Sequence, residues 1–210
     1  MVAFNNELRA KAKAQLKGKW GTPILVCFLY WLISGAISFV PGIGSIASLI
    51  LAGPLSLGLV IFALKFSNEE PAEVSNLFDG FNNFISAMAL YLWSALWIFL
   101  WSLLLIVPGI IKSISYSMSF YILAENPQIN VREALNISKR ITMGYKGRIF
   151  MLGLSFIGWA ILACITLGIG FLWLVPYIQI AFANLYKELK AEAVANNRFN
   201  SSLAGNAVSS

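Results

Sequence analysis

The sequence contains no histidine, and charged residues make up only 11% of its 210 positions. Without histidine, the chain has no imidazole to serve as a general acid or base or as a metal ligand. A soluble domain carries about a quarter charged residues, so this chain has too little charge to solvate an ordinary globular surface. The composition excludes histidine-based catalysis and argues against a soluble fold.

Cysteine is scarce as well, since only Cys27 and Cys164 occur. Both lie in apolar stretches, without a spacing typical of a disulfide framework or a metal site. We interpret them as reduced packing residues. The net charge is +6, but the basic residues flank apolar stretches, so we predict membrane lipids as partners and no nucleic acid.

Carboxylates are few, and each falls in a predicted inner segment or at the inner end of a predicted span. They are Glu7, Glu69, Glu70, Glu73, Asp79, Glu125, Glu133, Glu188 and Glu192. We predict no carboxylate at the membrane midplane. Because proton-coupled transporters usually keep an ionisable residue inside the helix bundle, this argues against a conventional proton relay. We accordingly predict no catalytic residue, no metal site and no cofactor.

Long apolar runs are what the sequence does have, because 59% of its residues are hydrophobic. About 20 such residues cross a bilayer as a helix, which predicts spans near 23–40, 43–66, 84–107, 109–124, 149–167 and 170–186. Tight turns are predicted at Pro41-Gly42, at Pro108-Gly109 and at Gly168-Ile169-Gly170. The predicted fold class is all-α, a polytopic membrane bundle of six transmembrane helices arranged as three hairpins with cytoplasmic amphipathic helices.

The three hairpins resemble one another, which predicts a single membrane domain over residues 1–190 with repeat-like units near 4–66, 71–124 and 130–186. In each unit a surface helix precedes a glycine with an aromatic residue close behind, at Gly18, Gly80 and Gly144. Chance similarity between hydrophobic segments is the alternative interpretation. The tail 191–210 is rich in Ala, Asn and Ser and is predicted to be disordered.

The first surface helix combines an apolar stripe with a basic surface. The stripe comprises Phe4, Leu8, Ala12, Leu16 and Trp20, at four-residue spacing. The predicted contacts to anionic lipid are Arg9, Lys11, Lys13, Lys17 and Lys19 on the other faces. The alternative is that these charges only fix the topology.

Basic residues also predict the orientation, because Lys and Arg are retained on the cytoplasmic side. Under six crossings, 14 of the 15 basic residues fall in inner segments, and Lys112 alone falls outside. Both termini are therefore predicted to be cytoplasmic.

Lys112 has two interpretations. As a catalytic base it would activate Ser115, one helical turn on; as an interfacial charge it would extend its amine toward headgroups, which we favour. Ser113 and Ser117 share one face of the fourth predicted span, and Ser115 and Ser119 share a nearly opposite one. We interpret these serines as small residues for helix packing, with a polar pathway as the alternative. Gly53-Pro54 and Pro176 can kink their helices, a feature of transporters that also occurs without transport, and Gln179 and Asn184 are expected to bond between helices.

Three stretches carry a resemblance to a known family: YLWSALWIFLWSLLLIVPGIIKSISYSMSFYILAENP, MGYKGRIFMLGLSFIGW and TLGIGFLWLVPY. In these motifs and their order, the chain resembles domain-of-unknown-function family 975, predicted bacterial integral membrane proteins, over roughly residues 5–190. The resemblance implies a multipass fold in the plasma membrane, mainly of Gram-positive bacteria, and brings no site residues. The family also looks distantly similar to membrane domains attached to some glycerophosphodiester phosphodiesterases.

Together these features predict a non-enzymatic multipass membrane protein, a lipid-interacting accessory or envelope-homeostasis factor. A small transporter or an export or immunity component is the alternative, and an intramembrane enzyme a third. Whether it has a membrane-protein partner or forms a homo-oligomer is left open.

Overall fold

A computed structural model of the chain describes residues 5–38, 44–166 and 168–196. Within these ranges the chain forms helices joined by short connections, so the all-α fold class is confirmed there. The helices are α1 (Asn5–Leu16), α2 (Gly21–Ser38), α3 (Gly44–Ser67), α4 (Asn76–Asp79), α5 (Phe84–Leu104), α6 (Ile106–Tyr116), α7 (Ser119–Glu125), α8 (Val131–Ile141), α9 (Lys146–Ile165) and α10 (Phe171–Ala195), with a 3₁₀ turn at Gly80–Asn83.

Three helical stretches among the described residues are long and apolar enough to cross a membrane: Ala47–Ser67, Asn76–Leu103 and Lys146–Ile165. A fourth exists if α1 and α2, which meet at a bend of 100°, count as one span. The predicted fourth span, 109–124, is divided between α6 and α7, of 11 and 7 residues. At 1.5 Å per residue, neither crosses a bilayer alone.

The second predicted turn lies earlier than expected. The break between α5 and α6 is at Leu105, whose backbone is extended, and Pro108-Gly109 lies inside the first turn of α6. Proline is tolerated there because its missing N–H would have no helical partner. Gly109 instead allows close packing, since a Cβ at this position would lie 2.2 Å from Ser102 Oγ on α5. The first predicted turn, Pro41-Gly42, lies outside the described residues.

Helix α3 is the central element and packs against α2, α5, α7 and α10. Glycines let its backbone approach the segment that precedes α5. A Cβ at Gly58 would lie 1.8 Å from the Leu77 carbonyl oxygen, and one at Gly80 would lie 2.1 Å from the Pro54 carbonyl oxygen. Most of α5 and α9, in contrast, faces outward with apolar side chains, as lipid-exposed spans do.

The three glycines of the predicted repeat do not have the same role. Gly18 and Gly144 adopt φ of +79° and +87°, a left-handed conformation that ends α1 and the α8 segment. Gly80 has an ordinary right-handed φ of −61°. A residue without a side chain is needed there because the backbone of α3 lies so close. Only the first and third units therefore share this local structure.

Two predictions about the ends of the chain change. Helix α10 continues through Ala195, past the predicted start of the tail near 191, because Ala193 is buried against the core. Leu8, Ala12 and Leu16 of α1 are fully buried in the protein core. The interpretation of this stripe as part of a surface helix is therefore corrected for these three residues, which pack against protein, while Phe4 lies outside the described residues.

Candidate functional site

A cleft of about 570 Å³ lies between α1 and the half of the α9–α10 hairpin nearest its turn. Each helix lines it with one face. The lining residues recur at a spacing of three, four and seven: Asn6, Arg9, Ala10 and Lys13 from α1, and Trp159, Leu162, Ala163 and Thr166 from α9 and its end. This is the spacing of side chains on a single helical face.

The third wall has the same spacing and adds aromatic residues. It comprises Gly170, Trp173, Leu174 and Tyr177, and Trp20 contributes from the bend between α1 and α2. Trp159 and Trp173 are about half exposed. Three tryptophans thus border a mostly apolar cleft, which suits the boundary between hydrocarbon and headgroups, where tryptophan is enriched.

The polar side of the cleft is cationic. Arg9 and Lys13 line it, and among the described residues no carboxylate does. Arg9 Nε is buried without a hydrogen-bond partner among the described residues, and its guanidinium lies over the Phe156 ring, 5.7 Å from the centroid. A buried guanidinium nitrogen retains an unused donor, and an anionic oxygen is its best acceptor.

Polar and aromatic contacts fix α1 against the hairpin. The Tyr177 hydroxyl donates to the Arg9 carbonyl oxygen at 3.3 Å, and its ring packs edge-on against Phe156 with the centroids 5.3 Å apart. At the first residue of the helix, Asn5 Nδ2 donates to the Arg148 carbonyl oxygen at 3.3 Å. The backbone that carries Arg9 is therefore held in place before any ligand arrives.

The structure brings only two of the five predicted lipid contacts into this cleft. Arg9 and Lys13 line it, whereas Lys11 is exposed elsewhere on the helix. Lys17 and Lys19 line a different, more polar cleft together with Glu69 and Glu70. These carboxylates offset part of the positive charge of Lys17 and Lys19, so the basic residues of α1 and those that follow its end lie in different electrostatic environments.

Sequence reasoning missed Trp159, Trp173 and Tyr177. The sequence does show their spacing on α9 and α10, because each belongs to a set of residues three, four and seven positions apart. In a span that is apolar on every face, however, such a set does not show which neighbour it meets. The pairing of these sets with α1 depends on the tertiary fold.

The Lys112–Ser115 pair does not form in the structure. The Lys112 ammonium lies over the Trp101 ring, 5.0 Å from its centroid, while Ser115 Oγ donates to the Ile111 carbonyl oxygen at 2.7 Å. Ser113, Ser117 and Ser119 also donate to carbonyl oxygens of the preceding turn. Each of these hydroxyls thus bonds to a backbone carbonyl oxygen three or four residues earlier, and the packing role of the four serines stays a prediction.

Lys112 also lies in an unexpected place. It lines one cavity with Arg132 and Lys139 of α8. The prediction that Lys112 lies at the opposite membrane surface from these two residues is therefore wrong. The reason is the short α6, on which α8 packs directly: Ser138 Oγ donates to the Ser115 carbonyl oxygen at 2.7 Å.

The family model described as "Protein of unknown function (DUF975)" matches residues 1–115 and 103–193. No curated protein and no solved structure matches the chain.

Proposed function

The chain belongs to this family, DUF975, and we propose that it is a non-enzymatic integral membrane protein that holds an anionic phospholipid in the cleft between α1 and the α9–α10 hairpin. One observation carries the proposal: the cleft joins apolar, tryptophan-bordered walls to Arg9 and Lys13, with no carboxylate among the lining residues that the structure describes. This is the chemistry of one ligand with an acyl chain at one end and a phosphate at the other.

The geometry suggests how the lipid lies. Its phosphate would accept hydrogen bonds from the Arg9 guanidinium, whose Nε lacks a partner among the described residues, and would be attracted to the exposed Lys13. Its acyl chain would run past Ala163 and Leu174 toward the hairpin turn. A juxtamembrane basic residue contributes on the order of 1 kcal/mol to binding of anionic lipid, which corresponds to about fivefold in affinity.

Lipid retention through purification tests this proposal. The full chain is reconstituted in mixed phosphatidylglycerol and phosphatidylcholine, extracted in mild detergent, and its bound lipid is counted by native mass spectrometry. We expect a preference for phosphatidylglycerol that falls about fivefold in Arg9→Gln or Lys13→Gln. Lys11→Gln is the matched control, because it removes the same charge from an exposed position of the same helix outside the cleft.

An equal loss in the Lys11→Gln control would show that the preference reflects total charge and would overturn the cleft. Retention of phosphatidylcholine in place of phosphatidylglycerol would overturn the role of Arg9 and Lys13. A small transporter or an export or immunity component is the alternative. This alternative predicts that the protein moves a substrate across the membrane of vesicles that contain it. Lipid retention alone predicts no such transport.

Six crossings with both termini on the cytoplasmic side of a bacterial plasma membrane remain a prediction. That topology puts 14 of the 15 basic residues on the inner side, but it separates Lys112 from Arg132 and Lys139. The cavity that Lys112 shares with Arg132 and Lys139 favours fewer crossings, since these residues would then lie on one side. We also propose a single domain of three repeat-like units, because each unit has a surface helix followed by a glycine. The first and third units resemble each other more than either resembles the second.

A further inference from the structure

A second cavity, of about 260 Å³, lies where α5, α6 and α8 meet. Its α5 wall is a row of three tryptophans, Trp93, Trp97 and Trp101, one helical turn apart. The rings of Trp93 and Trp97 pack edge to face with their centroids 6.4 Å apart. The cavity shares no lining residue with the cleft at α1.

Three cations face this aromatic row and its neighbour Tyr116. The Lys112 ammonium lies 5.0 Å from the Trp101 centroid, and the Arg132 guanidinium lies 5.2 Å from the Trp93 centroid. The Lys139 ammonium lies 5.4 Å from the ring of Tyr116. Each cation is attracted to the face of a ring, which orients it without neutralising its charge.

The positive charge of the cavity is not balanced by protein. Its lining contains no carboxylate, and across the described ranges neither Lys112, Arg132 nor Lys139 is ion-paired with one. Glu133, the acidic neighbour of Arg132, lines an adjacent cavity and not this one. Burial, and to a smaller extent the charge of Lys112, lowers the pKa of Lys139.

We propose that this cavity binds one phosphate-type anion. Arg132 offers the planar fork that binds phosphate oxygens in pairs, Lys112 and Lys139 act as point charges, and the Asn136 amide supplies a neutral donor. The volume is below the usual range for drug-sized ligands, so it suits a phosphate group rather than a whole metabolite. The phosphate is carried by a lipid headgroup or is free in solution, and the cavity is independent of the function proposed above.

Fluorine NMR of the full chain tests this inference. The chain contains seven tryptophans, which are labelled as 5-fluorotryptophan and assigned by single Trp→Phe replacements in detergent micelles. One arm titrates inorganic phosphate against chloride at equal ionic strength. The other adds phosphatidic acid, with phosphatidylcholine as the control lipid. We expect saturable shifts of Trp93, Trp97 and Trp101, and none of Trp159 or Trp173 with inorganic phosphate.

Substitutions then assign the shift to the cavity. Lys139→Gln and Arg132→Gln should each weaken binding about tenfold or more, because a charge-assisted hydrogen bond is lost. Lys112→Gln gives the same test from α6 if a change in α8 lowers the yield of folded protein. Arg140→Gln is the matched control, since it removes one charge from an exposed position of α8 outside the cavity.

Saturable shifts in either arm that are lost in Lys139→Gln and kept in Arg140→Gln support the site, and the arm that shows them identifies the carrier. Equal weakening by Arg140→Gln would show a diffuse charge effect and overturn the inference. Static resonances of Trp93, Trp97 and Trp101 in both arms would show that the cations serve only to pack against the rings, which would overturn it as well.

Discussion

The Asn184 side-chain amide donates a hydrogen bond of 2.7 Å to Gln15 Oε1, 169 positions earlier in the chain. Gln15 Nε2 in turn donates to the carbonyl oxygen of Ser67, at 2.9 Å, and the Lys187 ammonium donates to the same oxygen at 3.0 Å. Asn184 is fully buried. This short chain of polar groups therefore links α10, α1 and the C-terminal end of α3.

We predict that Gln15 and Asn184 are energetically coupled. Gln15→Leu should lower the free energy of unfolding by about 1 kcal/mol, because it leaves the buried Asn184 amide without its partner. Asn184→Leu alone should cost a similar amount, and the double variant less than the sum of the two. The measurement is a double-mutant cycle of unfolding in mixed micelles. Additive single effects would contradict the coupling.

Half of this relationship could be predicted from the sequence. Asn184, polar within an apolar stretch, was expected to bond to another helix, and it does. Its partner could not be named, because Gln15 lies on a helix whose polar faces carry many equivalent side chains. Periodicity shows which face of a helix is apolar, but only the tertiary fold decides which helix covers it. The burial of Leu8 and Leu16 within protein illustrates the same limit.

We predict that Gly58→Ala destabilises the fold strongly. The added Cβ would lie 1.8 Å from the Leu77 carbonyl oxygen, so one backbone segment must move. Overpacking of this kind costs roughly 1–3 kcal/mol or more. Gly153→Ala is the control, because a Cβ there meets nothing within 4 Å and alanine favours a helix. Thermal stability in detergent should fall for the first variant and hold or rise for the second.

A weak effect of Gly58→Ala, equal to that of Gly153→Ala, would mean that α3 and the segment at Leu77 are not in contact in the membrane. The sequence alone could not rank these two glycines, since both lie within apolar helices. What distinguishes them is the distance to a neighbouring backbone. Distance in the fold also decides the cavity at Lys112. It brings together Lys112, Arg132 and Lys139, which the predicted topology places on opposite sides of the membrane.

We predict that a cysteine at position 169 reacts with an impermeant maleimide added to intact cells, while cysteines at positions 17 and 140 react only after permeabilisation. All three positions are exposed in the structure, so protection reports the membrane rather than burial. Cys164 is exposed too and is replaced by Ser beforehand, whereas Cys27 is buried. Labelling of position 140 from outside would contradict the cytoplasmic placement of α8.

Finally, we predict that phosphate binding near Trp101 weakens with rising pH earlier than an ordinary lysine would require. The groups that face Lys139 there are Lys112, Tyr116 and Arg132. Burial, with a smaller contribution from the charge of Lys112, lowers the Lys139 pKa below its ordinary value of 10.5. The ammonium therefore loses its proton at a lower pH than an ordinary lysine does.

With phosphatidic acid as the ligand, its own titration does not confound this step, because a phosphate monoester with a second pKa of about 6 keeps its charge in the alkaline range. Lys139→Arg should move the loss of affinity to higher pH, since a guanidinium stays charged throughout. Tyr116→Phe should leave the profile unchanged, because the phenol is not among the proposed phosphate donors. The same shift has the opposite sign for stability without ligand. The unfolded chain binds the proton more tightly, so the free energy of unfolding should rise with pH between the two pKa values. Fluorine titrations of the Trp101 resonance, paired with unfolding measurements across this range, test both signs, and a profile identical in wild type and Lys139→Arg would remove Lys139 from the site.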